Sequence, residues 1–262
     1  MSYQNFSPRG YSMLPEGIKY LLVINGICYL AQSMLGNTPL GPFIDSLALY
    51  HPGSSQFHFY QIITSVFMHG SFTHLLSNMF ALWMFGTVIE NIWGTRRFIY
   101  YYLLTAVGAG VLYLGVAQIE IFFAAQELLN SGASESLLHG LRMAESTDTA
   151  NELLALSYAH SYFPSDVASD YYWMYHIPVV GASGAIFGIL MAFGMMFPNS
   201  MIYIYFLFPI RAKWFVLGYG ILEFISGISG IQSGVAHFAH LGGMIFGYLI
   251  IRHWKKKGLW YR

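Results

Sequence analysis

The stretch that decides the fold of this chain of 262 residues is VGASGAIFGILMAFGMMF, residues 180–197. It contains no charged side chain. A helix needs about 20 apolar residues to cross a bilayer, and this stretch is close to that length. Its only hydroxyl is Ser183, which lies among small residues. Because a polar group inside a membrane is costly, this serine is a candidate for function as well as a marker of the helix.

Similar apolar segments recur along the whole chain. With 180–197 they predict six membrane-spanning helices; the other five are 17–35, 74–92, 97–117, 213–228 and 235–253. The segment 201–208 is also apolar, but Pro209 and Arg211 follow it, so we expect 199–212 to be a loop region. The first segment lacks the short apolar core and small-residue cleavage site of a signal peptide. The predicted fold class is an all-α polytopic membrane protein, a six-transmembrane-helix bundle forming one domain over 1–262.

Composition supports this class and excludes several functions. The chain is 56% hydrophobic and 9% charged, whereas soluble domains carry about a quarter charged residues. The formal net charge of +0 argues against a nucleic-acid partner. A single cysteine, Cys28, excludes a disulfide framework and a thiolate zinc site. We expect the lipid bilayer as a partner, and no cofactor and no metal.

The basic residues set the expected orientation. If six helices alternate, every Lys and Arg except Arg142 falls on one side of the membrane. The positive-inside rule then places both termini in the cytoplasm. The compact six-helix plan leads us to expect a bacterial cytoplasmic (inner) membrane.

An acidic insert separates the third and fourth predicted helices. Residues 118–176 carry most of the acidic side chains and are too long for an ordinary connection. We expect an extracytoplasmic insert with one or two short amphipathic helices, around Leu137, Leu138 and Leu141 and around Leu153 and Leu154. It could be a solvated appendage or a lid over a site.

Four polar residues inside the predicted helices are the candidates for chemistry: His74, Asn78, Ser183 and His240. At about 1.5 Å per residue, Asn78, Ser183 and His240 each lie roughly 20 Å from the cytoplasmic end of their helix, and His74 lies one turn above Asn78. A hydroxyl, an imidazole and two hydrogen-bonding side chains therefore share one layer of the membrane.

Small residues explain how Ser183 and His240 could meet. Gly184 and Gly188 form one GxxxG pair, and Gly243 and Gly247 form another. Such pairs let two membrane helices approach closely, which would bring the serine and the histidine into a nucleophile–base arrangement.

Each of these signals has a simpler interpretation. Ser183 alone could serve helix packing, His74 and Asn78 could be a structural polar pair, and His237 competes with His240 as the base. Glu223 could be a neutral or paired structural acid or a proton carrier. No H-E-x-x-H motif occurs, which argues against a metalloprotease.

Taken together, four motifs resemble those of the rhomboid intramembrane serine proteases. His74-Leu75-Leu76-Ser77-Asn78 resembles the H-x-x-x-N of the second helix, and Gly86 with Glu90 resembles G-x-x-x-E. Gly181-Ala182-Ser183-Gly184 matches G-x-S-G. The last match is A-H-x-x-G-x-x-x-G, at Ala239-His240-Leu241-Gly242-Gly243 with Gly247.

The resemblance implies a role for each matching residue. Ser183 is similar to the catalytic nucleophile and His240 to the general base of a dyad that needs no acid. Asn78, His74 and the Ser183 backbone N–H resemble the oxyanion-stabilising groups. His69 matches a loop histidine without an assigned role, and Phe187 an aromatic residue that packs against the base.

The implied activity is hydrolysis of peptide bonds in or near transmembrane segments of other membrane proteins. The implied substrates are membrane proteins with a helix-destabilised transmembrane segment. Two features depart from the family pattern: the long 118–176 insert, and the lack of the usual Trp-Arg pair in 36–68. The alternatives are a catalytically silent relative that binds membrane-protein clients, and a transporter, which would need paired charges at mid-membrane.

Overall fold

The computed structural model describes residues 10–144, 146–158, 164–204, 207–229 and 236–258. The order of its elements, in chain sequence, is α1 (Glu16–Leu35), α2 (Gly41–Asp45), α3 (Gln61–Thr64), a 3₁₀ turn (Ser65–Phe67), α4 (Phe72–Ala81), a π turn (Leu82–Gly86), α5 (Thr87–Trp93), α6 (Thr95–Asn130), α7 (Glu135–Met143), α8 (Thr147–Tyr158), α9 (Ser165–His176), α10 (Ser183–Met196), β1 (Met201–Ile204), β2 (Phe208–Arg211), α11 (Ala212–Ser229) and α12 (His237–Lys256).

Among the described residues, three helical segments are long and apolar enough to cross a membrane: Glu16–Leu35, Phe72–Trp93 and Thr95–Asn130. The segment 180–197 forms the shorter apolar helix α10 of 14 residues, which starts at Ser183. The fifth and sixth predicted segments form α11 and α12, with 18 and 20 residues. Each predicted segment is thus helical, while a count of six spans remains a prediction. Residue 235, where the last segment begins, lies outside the described residues, as do Arg9, Glu145 and Arg262.

Helix α10 is largely buried and packs against both α6 and α12, which also pack against each other. A Cβ at Gly243 on α12 would overlap the carbonyl oxygen of Gly184, and a Cβ at Gly247 would lie 3.1 Å from the Cα of Gly188. On the α6 side, the Tyr101 hydroxyl donates a hydrogen bond of 2.6 Å to the carbonyl oxygen of Gly188. The close approach predicted from the two GxxxG pairs is confirmed.

The outer surface of the bundle is apolar. Exposed large side chains line α1 and α11, among them Ile27, Leu30, Leu222, Phe224 and Ile228. A patch of this kind marks a protein or membrane contact. On helices of this length it is the surface expected against lipid tails.

Glu90, at the end of the Gly86–Glu90 motif, holds the start of the first helix. Its carboxylate accepts hydrogen bonds of 2.8 Å from the backbone N–H groups of Gly17 and Ile18, and one of 2.6 Å from the Thr95 hydroxyl. Because Pro15 offers no side-chain cap, the buried Glu90 supplies the negative group that the N-terminus of a helix favours.

The insert differs from its prediction. Helix α6 continues past residue 117 to Asn130, and three further helices follow instead of one or two. The leucines of α7 confirm the predicted amphipathic helix, but the aromatic-rich α9 was not expected. Their apolar side chains form a second core, which includes Leu128, Leu137, Leu138, Leu141, Tyr171, Tyr172 and Tyr175. The insert is therefore a packed helical subdomain. Burial of these apolar side chains favours the packed helices over a solvated coil.

The loop before α4 is anchored in a way that the sequence did not reveal. The fully buried Gln61 accepts a hydrogen bond from the Tyr50 N–H and donates to the carbonyl oxygens of Ser46 and Gln56. Arg142 of the insert donates to the Gly53 carbonyl oxygen at 2.8 Å. These bonds hold the loop where the Trp-Arg pair is missing, and they join it to the insert.

The region 199–212, predicted as a loop, is a β-hairpin. Strands β1 and β2 pair antiparallel, with Met201 opposite Arg211 and Tyr203 opposite Pro209. The prediction was wrong because it treated Pro209 and Arg211 only as the end of an apolar segment, whereas proline is tolerated in an edge strand and lies in β2. The hairpin ends where α11 begins.

Candidate active site

Ser183 is the first residue of α10, and the turn before it sets its direction. Gly181 has a φ of 124°, a left-handed conformation that only glycine adopts readily. Its N–H donates a hydrogen bond of 2.9 Å to the Ser65 carbonyl oxygen. The backbone N–H of Ser183 is one of the first in the helix, where such groups have no intrahelical acceptor.

The side chain of Ser183 meets His240 from α12. The Ser183 Oγ and His240 Nε2 are 2.9 Å apart, a hydrogen bond between residues 57 positions apart in the chain. The contact depends on the neighbouring glycine packing, since Gly184, which follows Ser183 directly, and Gly243, one turn past His240, bring the two backbones together. The predicted contact between Ser183 and His240 is therefore present, while their roles as nucleophile and base remain a prediction.

Phe187 fixes the plane of the His240 ring. The two rings stack with centroids 4.3 Å apart and an interplanar angle of 6°. The ring of Tyr219 on α11 also contacts Phe187, with the ring centroids 4.9 Å apart. The packing that the resemblance implied for Phe187 is confirmed.

Glu223 of α11 adds a contact that sequence reasoning did not place at the site. Its Oε2 lies 2.9 Å from His240 Nδ1 and 2.7 Å from His237 Nδ1. Glu223 is thus paired rather than isolated, and it is His240 whose Nε2 reaches the serine. An acidic residue in the middle of an apolar helix was the available signal, but nothing in the spacing indicated its partners.

His74 and Asn78 lie against the turn that precedes Ser183. A Cβ at Gly181 would lie 2.9 Å from His74 Nε2 and 3.7 Å from Asn78 Nδ2. Asn78 is only 6% exposed, and among the described residues its Nδ2 has no hydrogen-bond acceptor. A buried amide without an acceptor is costly. Asn78 therefore presents an unused hydrogen-bond donor beside the turn that precedes Ser183.

His69 lies behind this pair. Its ring is 5.1 Å from the His74 ring, its side chain is buried, and its backbone N–H donates to Gln32 Oε1 at 3.0 Å. Burial, assisted by the nearby His74, lowers the pKa of His69 to about 4. His69 is therefore neutral at physiological pH and supports the site by packing.

Glu223, His237 and His240 also form the one set of three metal-ligand side chains found among the described residues, with ligand atoms within 4.8 Å of one another. Nitrogen and oxygen ligands of this kind suit zinc. The same atoms, however, already join the three side chains by hydrogen bonds. A metal would have to displace those bonds.

The fold and the site define a helical membrane protein in which a serine and a histidine from two closely packed helices share a hydrogen bond. The Rhomboid domain matches residues 56–141 and 147–255, and the chain belongs to the Rhomboid family.

Curated relatives agree with this membership. The chain is 26% identical over 256 residues to RHOMBOID-like protein 12, mitochondrial, of Arabidopsis thaliana, covering 92% of this chain and 61% of that protein. It is 27% identical over 195 residues to Rhomboid protein 1, mitochondrial, of Saccharomyces cerevisiae, covering 72% of this chain and 40% of that protein. It is 25% identical over 95 residues to Putative rhomboid protease YdcA of Bacillus subtilis, covering 36% of this chain and 45% of that protein.

These alignments cover less than two thirds of each relative. The relatives come from mitochondria and from a bacterium, and another, Rhomboid-like protein 11 of Arabidopsis thaliana, is chloroplastic. Family membership and the apolar helices agree with a membrane protein. The expected bacterial cytoplasmic membrane is not supported, because several of these relatives are mitochondrial or chloroplastic proteins.

Proposed function

We propose that this protein is an intramembrane serine endopeptidase that uses Ser183 and His240. The observation that carries the proposal is the 2.9 Å hydrogen bond between Ser183 Oγ and His240 Nε2, beside a buried Asn78 amide that has no acceptor among the described residues. Rhomboid family membership supports it, since the family includes intramembrane proteases.

The reaction follows the acyl-transfer template of serine hydrolases. Ser183 Oγ forms a bond to the scissile carbonyl carbon while its proton passes to His240 Nε2. The carbonyl oxygen becomes an oxyanion, to which Asn78, His74 and the Ser183 backbone N–H would donate. The C–N bond then breaks as His240 returns the proton to the leaving amine, and water, deprotonated by His240, hydrolyses the ester on Ser183.

The substrates in this proposal are membrane proteins with a helix-destabilised transmembrane segment. An intact helix keeps its carbonyl groups in its own hydrogen bonds, so a scissile carbonyl must first be released. Glycine and proline cost about 1 and 3 kcal/mol relative to alanine in a helix, so segments that contain them unwind more readily.

The proposed topology has six spans with both termini in the cytoplasm. The three long apolar helices, the apolar α10 and the lengths of α11 and α12 support six spans. The one-sided distribution of Lys and Arg supports the orientation. The insert built by α7, α8 and α9 then lies on the extracytoplasmic side, together with Ser183.

The test is labelling of the full chain, purified in detergent, with a fluorophosphonate probe that reacts with activated serines. Wild type is expected to be labelled, and Ser183→Ala and His240→Ala are not. The matched control is Ser226→Ala, which removes a serine from a different helix, α11, and should label like wild type. Absence of labelling in a folded wild-type sample would contradict the proposal and favour a relative that binds membrane-protein clients.

A further inference from the structure

His240 is hydrogen-bonded at both ring nitrogens, to Ser183 on one side and to Glu223 on the other. We propose that Glu223 is a positioning residue that completes a Ser183–His240–Glu223 triad, with His237 holding its carboxylate in place. The inference rests on the proposed function and extends it, since the resemblance implied a dyad without an acid.

The geometry selects one arrangement of protons. With Glu223 ionised, its carboxylate only accepts hydrogen bonds, and His240 then carries its proton on Nδ1 and donates to Glu223 Oε2 at 2.9 Å. Its Nε2 is then unprotonated and accepts from the Ser183 hydroxyl, also at 2.9 Å. This is the tautomer that a general base for Ser183 requires.

The ring has little freedom to leave this position. Hydrogen bonds at opposite corners set its rotation, and the parallel stacking of Phe187 at 4.3 Å sets its plane. A base held in this way stays aligned with the nucleophile, and loss of alignment by about 1 Å can cost about 100-fold in rate.

Glu223 also provides charge where the reaction needs it. When His240 takes the serine proton, the imidazole becomes positively charged, and a carboxylate at hydrogen-bond distance favours that form. The Glu223 side chain is 8% exposed, so water screens this attraction only weakly.

His237 explains why the carboxylate is well placed. Its Nδ1 lies 2.7 Å from the same Oε2 atom that binds His240, and its side chain is 8% exposed. A carboxylate oxygen has two lone pairs, so both histidines can donate to it at once. His237 thus orients Glu223 and does not compete with His240 for Ser183.

A purely structural interpretation is that Glu223 ties α11 to α12. The two interpretations differ in what they predict for reactivity. Loss of a residue that only ties two helices together affects folding and the amount of active protein. Loss of a positioning residue lowers the rate constant for the reaction of Ser183 with the bound probe.

The experiment measures fluorophosphonate labelling of the full chain over a range of probe concentrations, for wild type, Glu223→Gln, Glu223→Asp and the control Glu120→Gln. The glutamine amide can donate to Nδ1 and thereby select the wrong tautomer. We expect its limiting first-order rate constant to fall by about 100-fold or more, with little change in the concentration for half-maximal rate. Glu223→Asp should recover part of the rate, and Glu120→Gln should match wild type.

The outcomes separate the two proposals. An unlabelled wild type would overturn the proposed function. A labelled wild type with an equally fast Glu223→Gln variant would overturn the triad and leave the proposed function in place.

A second measurement does not depend on how Glu223→Gln folds. In ¹⁵N-histidine spectra of wild type, assigned by the loss of signals in His240→Gln, neutral His240 is expected to carry its proton on Nδ1. A proton on Nε2 would overturn the triad.

Discussion

Gly243 lies directly against the backbone of Gly184, where any Cβ would overlap the Gly184 carbonyl oxygen. Through this contact α12 touches α10 backbone to backbone, next to Ser183 on α10 and one turn from His240 on α12. The same contact therefore packs the bundle and helps to set the distance between Ser183 Oγ and His240 Nε2.

Replacing Gly243 with alanine should reduce both stability and labelling. The added methyl group must push the two helices apart, and overpacking of this kind costs about 1–3 kcal/mol. We expect a lower Tm and fluorophosphonate labelling at least 10-fold slower. Gly218→Ala on α11 is the control, since a Cβ there meets no atom within 4 Å. An unchanged labelling rate in Gly243→Ala would contradict the dependence of the site on this contact.

Removing the Asn78 amide should slow the reaction without unfolding the protein. Loss of one oxyanion donor costs about 10²–10³ in rate. Asn78→Ala is therefore expected to label about 100-fold more slowly than wild type at a similar Tm. Asn91→Ala, near the other end of the segment Phe72–Trp93, should label normally although it loses bonds to the backbone oxygens of Ser12 and Thr87.

Glu90 should matter for stability and not for chemistry. In Glu90→Gln only one oxygen remains for the N–H groups of Gly17 and Ile18 and the Thr95 hydroxyl. A buried donor left without an acceptor costs about 1–3 kcal/mol. We expect a lower Tm but normal labelling per folded molecule, whereas Glu127→Gln on the exposed side of α6 should leave both unchanged. A stable variant with slow labelling would show that Glu90 acts on the site.

His69 should make the protein sensitive to acid. Its pKa is about 4 in the folded protein and about 6.5 in an unfolded chain, so between these values the unfolded chain binds a proton that the folded protein excludes. The stability contributed by His69 is fully present above pH 6.5 and is lost as the pH falls towards 4. Unfolding followed at pH 7.5, 5.5 and 4.5 should show this loss.

The His69→Gln variant should show a weaker dependence on pH over the same range. The exposed His139 provides the control, and His139→Gln should retain the wild-type dependence. Equal slopes in His69→Gln and wild type would assign the acid sensitivity to other groups.

Chelation should not affect the reaction. Although Glu223, His237 and His240 could hold an ion, the proposed chemistry uses His240 as a base and Glu223 as its partner. Dialysis against EDTA is expected to leave the labelling rate unchanged. Loss of labelling that added Zn²⁺ restores would contradict the serine mechanism.

Some features of the fold and the site could be predicted because they depend on short stretches of sequence alone. Apolar length marked the helical segments, and the spacing of Gly184, Gly188, Gly243 and Gly247 indicated which helices approach closely. Ser183, His240, His74 and Asn78 were selected as polar residues in one layer of the membrane. Their catalytic roles remain predictions that the labelling experiments test.

Other features could not be predicted because they depend on contacts between distant segments. The extension of α6 to Asn130 and the helix α9 are stabilised by a shared core of leucine and tyrosine side chains, which no local pattern reveals. The hairpin at 201–211 depends on strand pairing across a proline-containing edge.

The sequence by itself determined that this is a helical membrane protein, and it predicted a serine, a histidine and two polar neighbours at similar depth, because apolar length and helical rise are properties of each segment alone. Only the tertiary structure decided that Glu223 and His237 join His240. Their contact requires α11 and α12 to lie side by side with a particular rotation, and that rotation is set by the packing of side chains across the whole bundle.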